Sequence, residues 1–198
     1  MSDARVYRLC TARDGRQFVI REAVTADAMQ ILAHTRSMLG EPQWNVTELA
    51  EFQRSPQQEE EWISSFRERL HNILLVADTG SMARPEIVGV LSFNVQPRFR
   101  LRHRGRLGIG VHAAYRGLGI GEALLQALLD WAEAEPEVER VELSVLAHNT
   151  RAISLYRKLG FVEEARLYGA CKLADGTYYD DLMMVKWVKP GNGNLAGA

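Results

Sequence analysis

The six residues Arg116-Gly117-Leu118-Gly119-Ile120-Gly121 constrain this chain more than any other stretch. The β-forming run Leu107-Gly108-Ile109-Gly110-Val111 precedes them, and Glu122 to Leu129 follow with leucines at helical spacing. A strand must therefore pass into a helix through a short glycine-rich turn. Glycine lets the backbone adopt positive φ and lets a ligand come close to the main chain. The first N–H groups of the helix have no partner within it. Those donors and the positive end of the helix dipole favour an anion. The turn reads as a cradle for a phosphate or pyrophosphate.

The rest of the composition narrows the partners. A chain of 198 residues suits one domain with a sizeable core. The formal net charge of -1 supplies no global field to recruit nucleic acid, and no nucleic-acid partner is expected. Arg98, Arg100, Arg102, His103, Arg104 and Arg106 form a local basic cluster, which reads as a solvated strand edge or loop lacking an aromatic platform. Cys10 and Cys171 have no metal-site or redox-pair spacing and read as free thiols. Met1 to Arg5 lack the apolar run of a signal peptide, and no stretch is apolar for long enough to span a bilayer. The expected setting is cytoplasmic, with no membrane. Residues 1–189 read as the domain and 190–198 as a disordered tail.

Hydrophobic periodicity and turn residues place the elements. Asp14-Gly15 between Tyr7–Cys10 and Gln17–Ile20 predicts a hairpin. A helix is expected from Asp27 to Leu39, with Thr25 or Asp27 as its cap and Gly40-Glu41-Pro42 as its end. The stretch from Gln43 to Pro56 reads as irregular. Gln57 to Leu70 predicts a second helix, with Trp62, Ile63, Phe66 and Leu70 on its apolar face. Strands are expected at Ile73–Ala77, Ile87–Val95, Arg104–Val111 and Val141–Val145. Asn149 to Leu159 predicts a short helix closed by Gly160. Phe161–Leu173 and Thr177–Val188, joined through Asp175-Gly176, predict a closing hairpin. The class is mixed α/β (α+β), with no internal repeat.

The glycine-rich turn fails two familiar phosphate motifs. A dinucleotide fingerprint that starts at Gly117 needs glycine where Glu122 stands, and a Walker loop needs Gly-Lys-Ser/Thr. What the residues do resemble is the GNAT N-acetyltransferases. Arg116-x-x-Gly119-x-Gly121, after a strand ending in Val111, is similar to their acetyl-CoA signature. Asn149-x-x-Ala152-x-x-Leu155-Tyr156-x-x-x-Gly160-Phe161 is similar to the block that follows it. The closing Asp175-Gly176-x-Tyr178-x-Asp180 and Met183-Met184 resemble the branch with ribosomal-protein N-terminal and spermidine acetyltransferases. The likeness runs from about Ile73 to Trp187.

The resemblance implies a single domain with a mostly antiparallel sheet, splayed at the cofactor cleft, and helices on both faces. It implies acetyl-CoA as cosubstrate, no metal, and direct transfer to a primary amine of a small molecule or a protein N-terminus. The backbone N–H groups of Gly117, Leu118, Gly119, Ile120, Gly121 and Glu122 would wrap the CoA pyrophosphate, with Arg116 either meeting phosphate or bracing the loop. Ile109 and Val111 would pair with the pantetheine amides. Gly108 and Gly110, unusual inside a strand, mark a bulge or tight packing under the next helix. Asn149 would cap its helix and touch the CoA arm, and Ser154 would face the cofactor. Tyr156 would protonate the leaving thiolate, a role open to a phenol that is protonated at neutral pH.

The general base is less defined. Arg106 stands near the place where some members carry a glutamate, which leaves His103, His112, His148, Glu41 or a water chain. Glu59, Glu60, Glu61, Asp180 and Asp181 would suit a polyamine acceptor, and a helix start and a hairpin explain them equally well. The alternative function is a non-catalytic CoA-binding or sensor module on the same fold. Tyr178, Tyr179, Met183, Met184 and Trp187 either pair across a homodimer or finish the sheet.

Overall fold

A computed structural model describes residues 4–80, 84–173 and 175–189. The tail expected at 190–198 lies outside the described residues. Along the chain run β1 (Val6–Thr11), β2 (Gln17–Glu22), α1 (Ala28–Leu39), α2 (Pro56–Glu68), β3 (Ile73–Asp78), β4 (Ile87–Val95), β5 (Arg104–Val111), α3 (Ile120–Ala134), β6 (Arg140–Leu146), α4 (Thr150–Lys158), β7 (Val162–Lys172) and β8 (Tyr178–Trp187). The strands hydrogen-bond in the order β1-β2-β3-β4-β5-β6-β8-β7. β5 runs parallel to β6, and the β1–β2, β2–β3, β3–β4, β6–β8 and β7–β8 pairs are antiparallel. The mixed, mostly antiparallel α/β sheet matches the expected class. Internal contacts group into two units, Met1–Phe93 with Gly108–Leu128 and Asn94–Leu107 with Leu129–Ala198.

In the first unit, Asp14-Gly15 makes the β1–β2 turn, and Gly15 has the positive φ of +88° that glycine allows. α1 and α2 cover one face of β3 and β4. Ala28 and Ile31 of α1 and Ile63 and Phe66 of α2 bury with Leu74, Val76 and Ile87. Each of these side chains other than Ala28 contributes about 1.5–3 kcal/mol. α2 starts at a capping box, with the Ser55 hydroxyl accepting from Gln58 N–H and the Gln58 side chain accepting from Ser55 N–H. α3 lies on the opposite face, where Ile120 and Leu124 press on Gly89 of β4.

Two expectations for these helices need correction. Neither Thr25 nor Asp27 caps α1 with its side chain. The Asp27 carboxylate instead grips the buried Arg21 guanidinium at 2.7 and 2.8 Å, and Arg21 also holds Asp78 at 2.9 Å. The second carboxyl oxygen of Asp78 accepts from Gly80 and Glu86 N–H, which closes the end of β3. Leu70 was placed on the apolar face of the second helix and is 82% exposed. α2 stops at Glu68, and His71 then adopts a φ of +65°.

In the second unit, β8 pairs with β6 on one side and β7 on the other. Asp181 to Trp187, with Met183, Met184 and Trp187 among them, pair with β6, so this part of β8 lies inside the sheet and β7 is the edge strand. Asp175-Gly176 turns the hairpin, with Gly176 at φ +88°. Glu142 of β6 is buried, with Arg140 (2.7 Å) and Arg104 (3.3 Å) paired to it there. The arginine cluster does hold an aromatic: Phe99 is exposed, with the Arg102 guanidinium 4.3 Å from its ring centre. Arg102 also pairs with Glu137 at 2.8 Å. No helix among the described residues is long and apolar enough to cross a membrane.

Candidate active site

The strand that leads into the glycine-rich turn has one open edge. Arg104 carbonyl accepts from Gln96 N–H, and His112 N–H donates to Val88 carbonyl at 2.9 Å. Even-numbered residues of β5 thus face β4, and strand alternation turns Leu107, Ile109 and Val111 to the other edge. On that edge, among the described residues, the ladder to β6 ends at Arg106 opposite Glu142. The main-chain groups of Ile109 and Val111 lie beyond it. β6 meanwhile continues its pairing with β8 as far as Leu146. The β5–β6 ladder therefore stops short of the end of β5.

Gly110 marks a close approach. A Cβ there would stand 3.3 Å from His34 Nε2 and 3.3 Å from Met38 Cγ. The tight packing is under α1, not under the next helix, α3, as the sequence suggested. His34 is buried, and neither ring nitrogen has a hydrogen-bond partner of good geometry. Burial lowers its pKa to about 4 against the opposing pull of the Gly110 main chain, with nearby His112 and Arg116 adding to the lowering. It stays neutral near pH 7.

The turn itself uses glycine where only glycine is comfortable: Gly117 has φ +83° and Gly119 φ +95°. Ala123 N–H donates to the Gly119 carbonyl at 3.0 Å, the first helical bond of α3. The Ile120 and Gly121 N–H groups precede that bond and have no acceptor within the helix. A Cβ on Gly119 would meet no protein atom within 4 Å. Arg13, from the β1–β2 turn, holds the carbonyl side of the loop. Its N–H donates to Leu118 carbonyl at 3.0 Å and its Nη1 to Gly117 carbonyl at 3.1 Å. Because the C=O and N–H of a peptide unit point oppositely, this turns the Leu118 and Gly119 N–H groups away from Arg13.

Arg116 braces the end of the strand. Its Nη1 and Nη2 each donate to a Glu41 carboxyl oxygen at 2.7 Å, and its Nε donates to Val111 carbonyl at 2.9 Å. The guanidinium holds the Glu41 carboxyl below the usual carboxylate range, chiefly by these hydrogen bonds.

In the second unit, α4 is secured at both ends. Asn149 Oδ1 accepts from Ala152 N–H at 3.2 Å, the expected cap. At the far end Gly160 takes φ +86°, and Lys186 Nζ donates to Leu159 carbonyl at 2.8 Å. Between these anchors Tyr156 is buried, its ring edge-on to Phe161 at 5.9 Å. Burial pushes its phenol up to about 12. Ser154 is exposed, and its hydroxyl donates to Thr150 carbonyl at 2.7 Å, so its oxygen retains only acceptor capacity.

The candidate bases are variously engaged. Glu41 is tied to Arg116. His112 Nδ1 accepts from Ala114 N–H. His103 stacks on Trp187, and His148 lies 4.2 Å from the ring centre of Tyr179. Arg106, where a glutamate was looked for, donates to Ser144 Oγ. Sequence reasoning missed His34, Arg13 and the partner of Arg116. Only Arg13 left a signal, a basic residue beside a predicted hairpin turn. No group of three or more His, Cys, Asp or Glu among the described residues is placed to hold a metal ion.

Comparison with known proteins places these features in a family. The model of the Acetyltransferase (GNAT) family matches residues 39–161. The chain is 32% identical over 103 residues to L-amino acid N-acetyltransferase AaaT of Escherichia coli (strain K12), covering 51% of this chain and 62% of that protein. It is 47% identical over 53 residues to N-alpha-acetyltransferase RimI of Mycobacterium tuberculosis, covering 27% of this chain and 31% of that protein. The chain thus spans less than two thirds of the length of each of these two relatives. A GNAT-family acetyltransferase from Streptococcus pneumoniae superposes with a TM-score of 0.79 at 26% identity, over 86% of this chain and 99% of that one.

Proposed function

The chain belongs to the GNAT family of acetyltransferases, and on that premise we propose that it moves an acetyl group from acetyl-CoA directly to a primary amine, on a small molecule or a protein N-terminus. The observation that carries this reading is the conjunction of two backbone features in one unit. An edge left open at Ile109 and at the Val111 N–H leads, through His112 to Tyr115, into a turn whose N–H groups precede the first bond of α3. The edge suits an extended chain of amides such as pantetheine, and the turn suits a pyrophosphate. The names of the two relatives, an L-amino acid N-acetyltransferase and an N-alpha-acetyltransferase, favour an α-amine acceptor. A location in the cytoplasm accords with this chemistry.

The proposed reaction begins with a neutral amine, whose lone pair attacks the thioester carbonyl carbon. The carbonyl oxygen gains charge, and Val111 N–H donates to it. The C–S bond breaks as Tyr156 gives its phenolic proton to the sulfur, and the phenolate left behind, the stronger base, recovers a proton from water. A group with a pKa raised to about 12 remains protonated until the leaving sulfur is there to receive the proton. The ammonium-like nitrogen of the product loses its proton to water. Asn149 holds the start of the helix that carries Tyr156, and positioning supplies much of the acceleration.

A thiol-release assay with acetyl-CoA against amino acids, short peptides, polyamines and aminoglycosides tests the proposal. Release that depends on an added amine, strongest for α-amines, supports it. Acetyl-CoA binding without turnover on any amine would replace it with the sensor-module reading. Absence of acetyl-CoA binding would end it.

A further inference from the structure

Arg116 opens the turn, yet its side chain is directed into the protein. The guanidinium has five N–H donors. Two form a fork on Glu41, at 2.7 Å each, one reaches Val111 carbonyl at 2.9 Å, and Nη2 also lies 3.4 Å from Met38 Sδ. A planar, two-point carboxylate pair is the geometry arginine holds best. A phosphate approaching this cation would also approach the Glu41 carboxylate. Glu41 is itself fixed, since Asn45 Nδ2 donates to its carbonyl at 3.0 Å and to Met38 carbonyl at 2.7 Å.

The consequence lies at the last residue of β5. The peptide unit that joins Val111 to His112 is held at both ends: its oxygen by Arg116 Nε and its N–H by Val88 carbonyl at 2.9 Å. Its plane therefore cannot rotate while Glu41 keeps Arg116 in place. Val111 presents its own N–H on the same edge as this oxygen. We infer that Glu41 is a positioning residue for acetyl transfer, which holds Arg116 on the Val111 carbonyl and so aims the Val111 N–H. Arg116 on this account is a brace for the strand, not a ligand for phosphate. The inference rests on the acetyl-CoA reading above.

The test compares wild type, Glu41→Gln, Glu41→Asp and the charge-swapped pair Glu41→Arg/Arg116→Glu, by kcat, by KM for acetyl-CoA and by melting temperature. Glu41→Gln should lower kcat roughly 10- to 100-fold, the scale of a small misplacement of a reacting group. KM for acetyl-CoA should stay within about 3-fold, and Glu41→Asp should recover part of kcat. The swapped pair restores the opposite charges but cannot donate to Val111 carbonyl. It should regain melting temperature without regaining kcat. A Glu41→Gln enzyme with wild-type kcat and a lower KM for acetyl-CoA would mean that Arg116 had been freed to bind phosphate, and would overturn the inference. Recovery of kcat by the swapped pair would overturn it too. If wild type itself shows no acetyl-CoA-dependent thiol release, the proposed function fails first.

Discussion

Gly89 offers the clearest link between packing and the candidate site. A Cβ added there would stand 2.9 Å from Leu124 Cδ1, 3.3 Å from Ile120 Cγ2 and 3.4 Å from Ala77 Cβ. Carbon atoms in good contact lie about 3.5–4.0 Å apart. Ile120, Leu124 and Ala77 are all fully buried, so none can swing into solvent. Gly89→Ala must therefore lift the start of α3 or force Leu124 off its rotamer. Overpacking of this kind costs about 1–3 kcal/mol. The alanine recovers about 0.5–1 kcal/mol by restricting the unfolded chain. The net loss is about 0–2.5 kcal/mol, about 1.2 kcal/mol at the midpoint, or roughly 2–5 °C in melting temperature for a chain of this size. Ile120 is the first residue of α3, so the glycine-rich turn shifts with it, and KM for acetyl-CoA should rise several-fold. Gly108→Ala is the internal control: its Cβ meets only Ser92 Oγ, at an ordinary 3.4 Å. It should leave the melting temperature unchanged or slightly raised. Differential scanning fluorimetry on both variants decides the matter. A Gly89→Ala protein at least as stable as wild type, or a Gly108→Ala protein less stable than Gly89→Ala, would refute the reasoning.

Further expectations concern His34 and Tyr156. The folded-state pKa of His34 is lowered from 6.5 to about 4, so its contribution to stability is present above the unfolded value and lost as pH falls through the folded one. The loss is about 3 kcal/mol between pH 6.5 and 4. Urea midpoints at pH 7 and pH 4 should therefore fall further apart in wild type than in His34→Gln, and equal shifts would remove His34 as the cause. Tyr156→Phe deletes the proposed acid without changing the ring, and should lower kcat about 100-fold or more while acetyl-CoA affinity stays within about 2-fold. Stopped-flow thiol release at saturating acetyl-CoA measures it, and an unchanged kcat would clear Tyr156 of that role.

Legibility in the sequence followed how local each signal was. Both hairpins were readable because Asp14-Gly15 and Asp175-Gly176 place glycine at positive φ between alternating runs. α4 was readable from both ends, through Asn149 and Gly160. The stop of α2 was not, because His71 takes the positive φ that glycine normally marks, and Leu70 was carried along by the period. The cap of α1 was misread because Asp27 answers to Arg21 and, through it, to Asp78, a contact that only folding creates. Glu142 broke the alternation of β6 because two arginines make its burial tolerable. In the candidate site, the glycines of the turn and Tyr156 stand out by residue type. Glu41 and Arg116 lie 75 residues apart, and neither sequence neighbourhood points to the other. His34 carries no signal in the sequence, because only the fold brings its ring against Gly110.

Calorimetric titration of acetyl-CoA into wild type and Gly119→Ala tests most directly whether the glycine-rich turn holds the pyrophosphate. Gly119 has φ +95° and an open space beside it, so an alanine there strains the turn and intrudes on that space without striking the fold. The account predicts saturable binding to wild type, with affinity at least 10-fold weaker in a folded Gly119→Ala, a difference of about 1.4 kcal/mol. Equal affinity in the two proteins would contradict it.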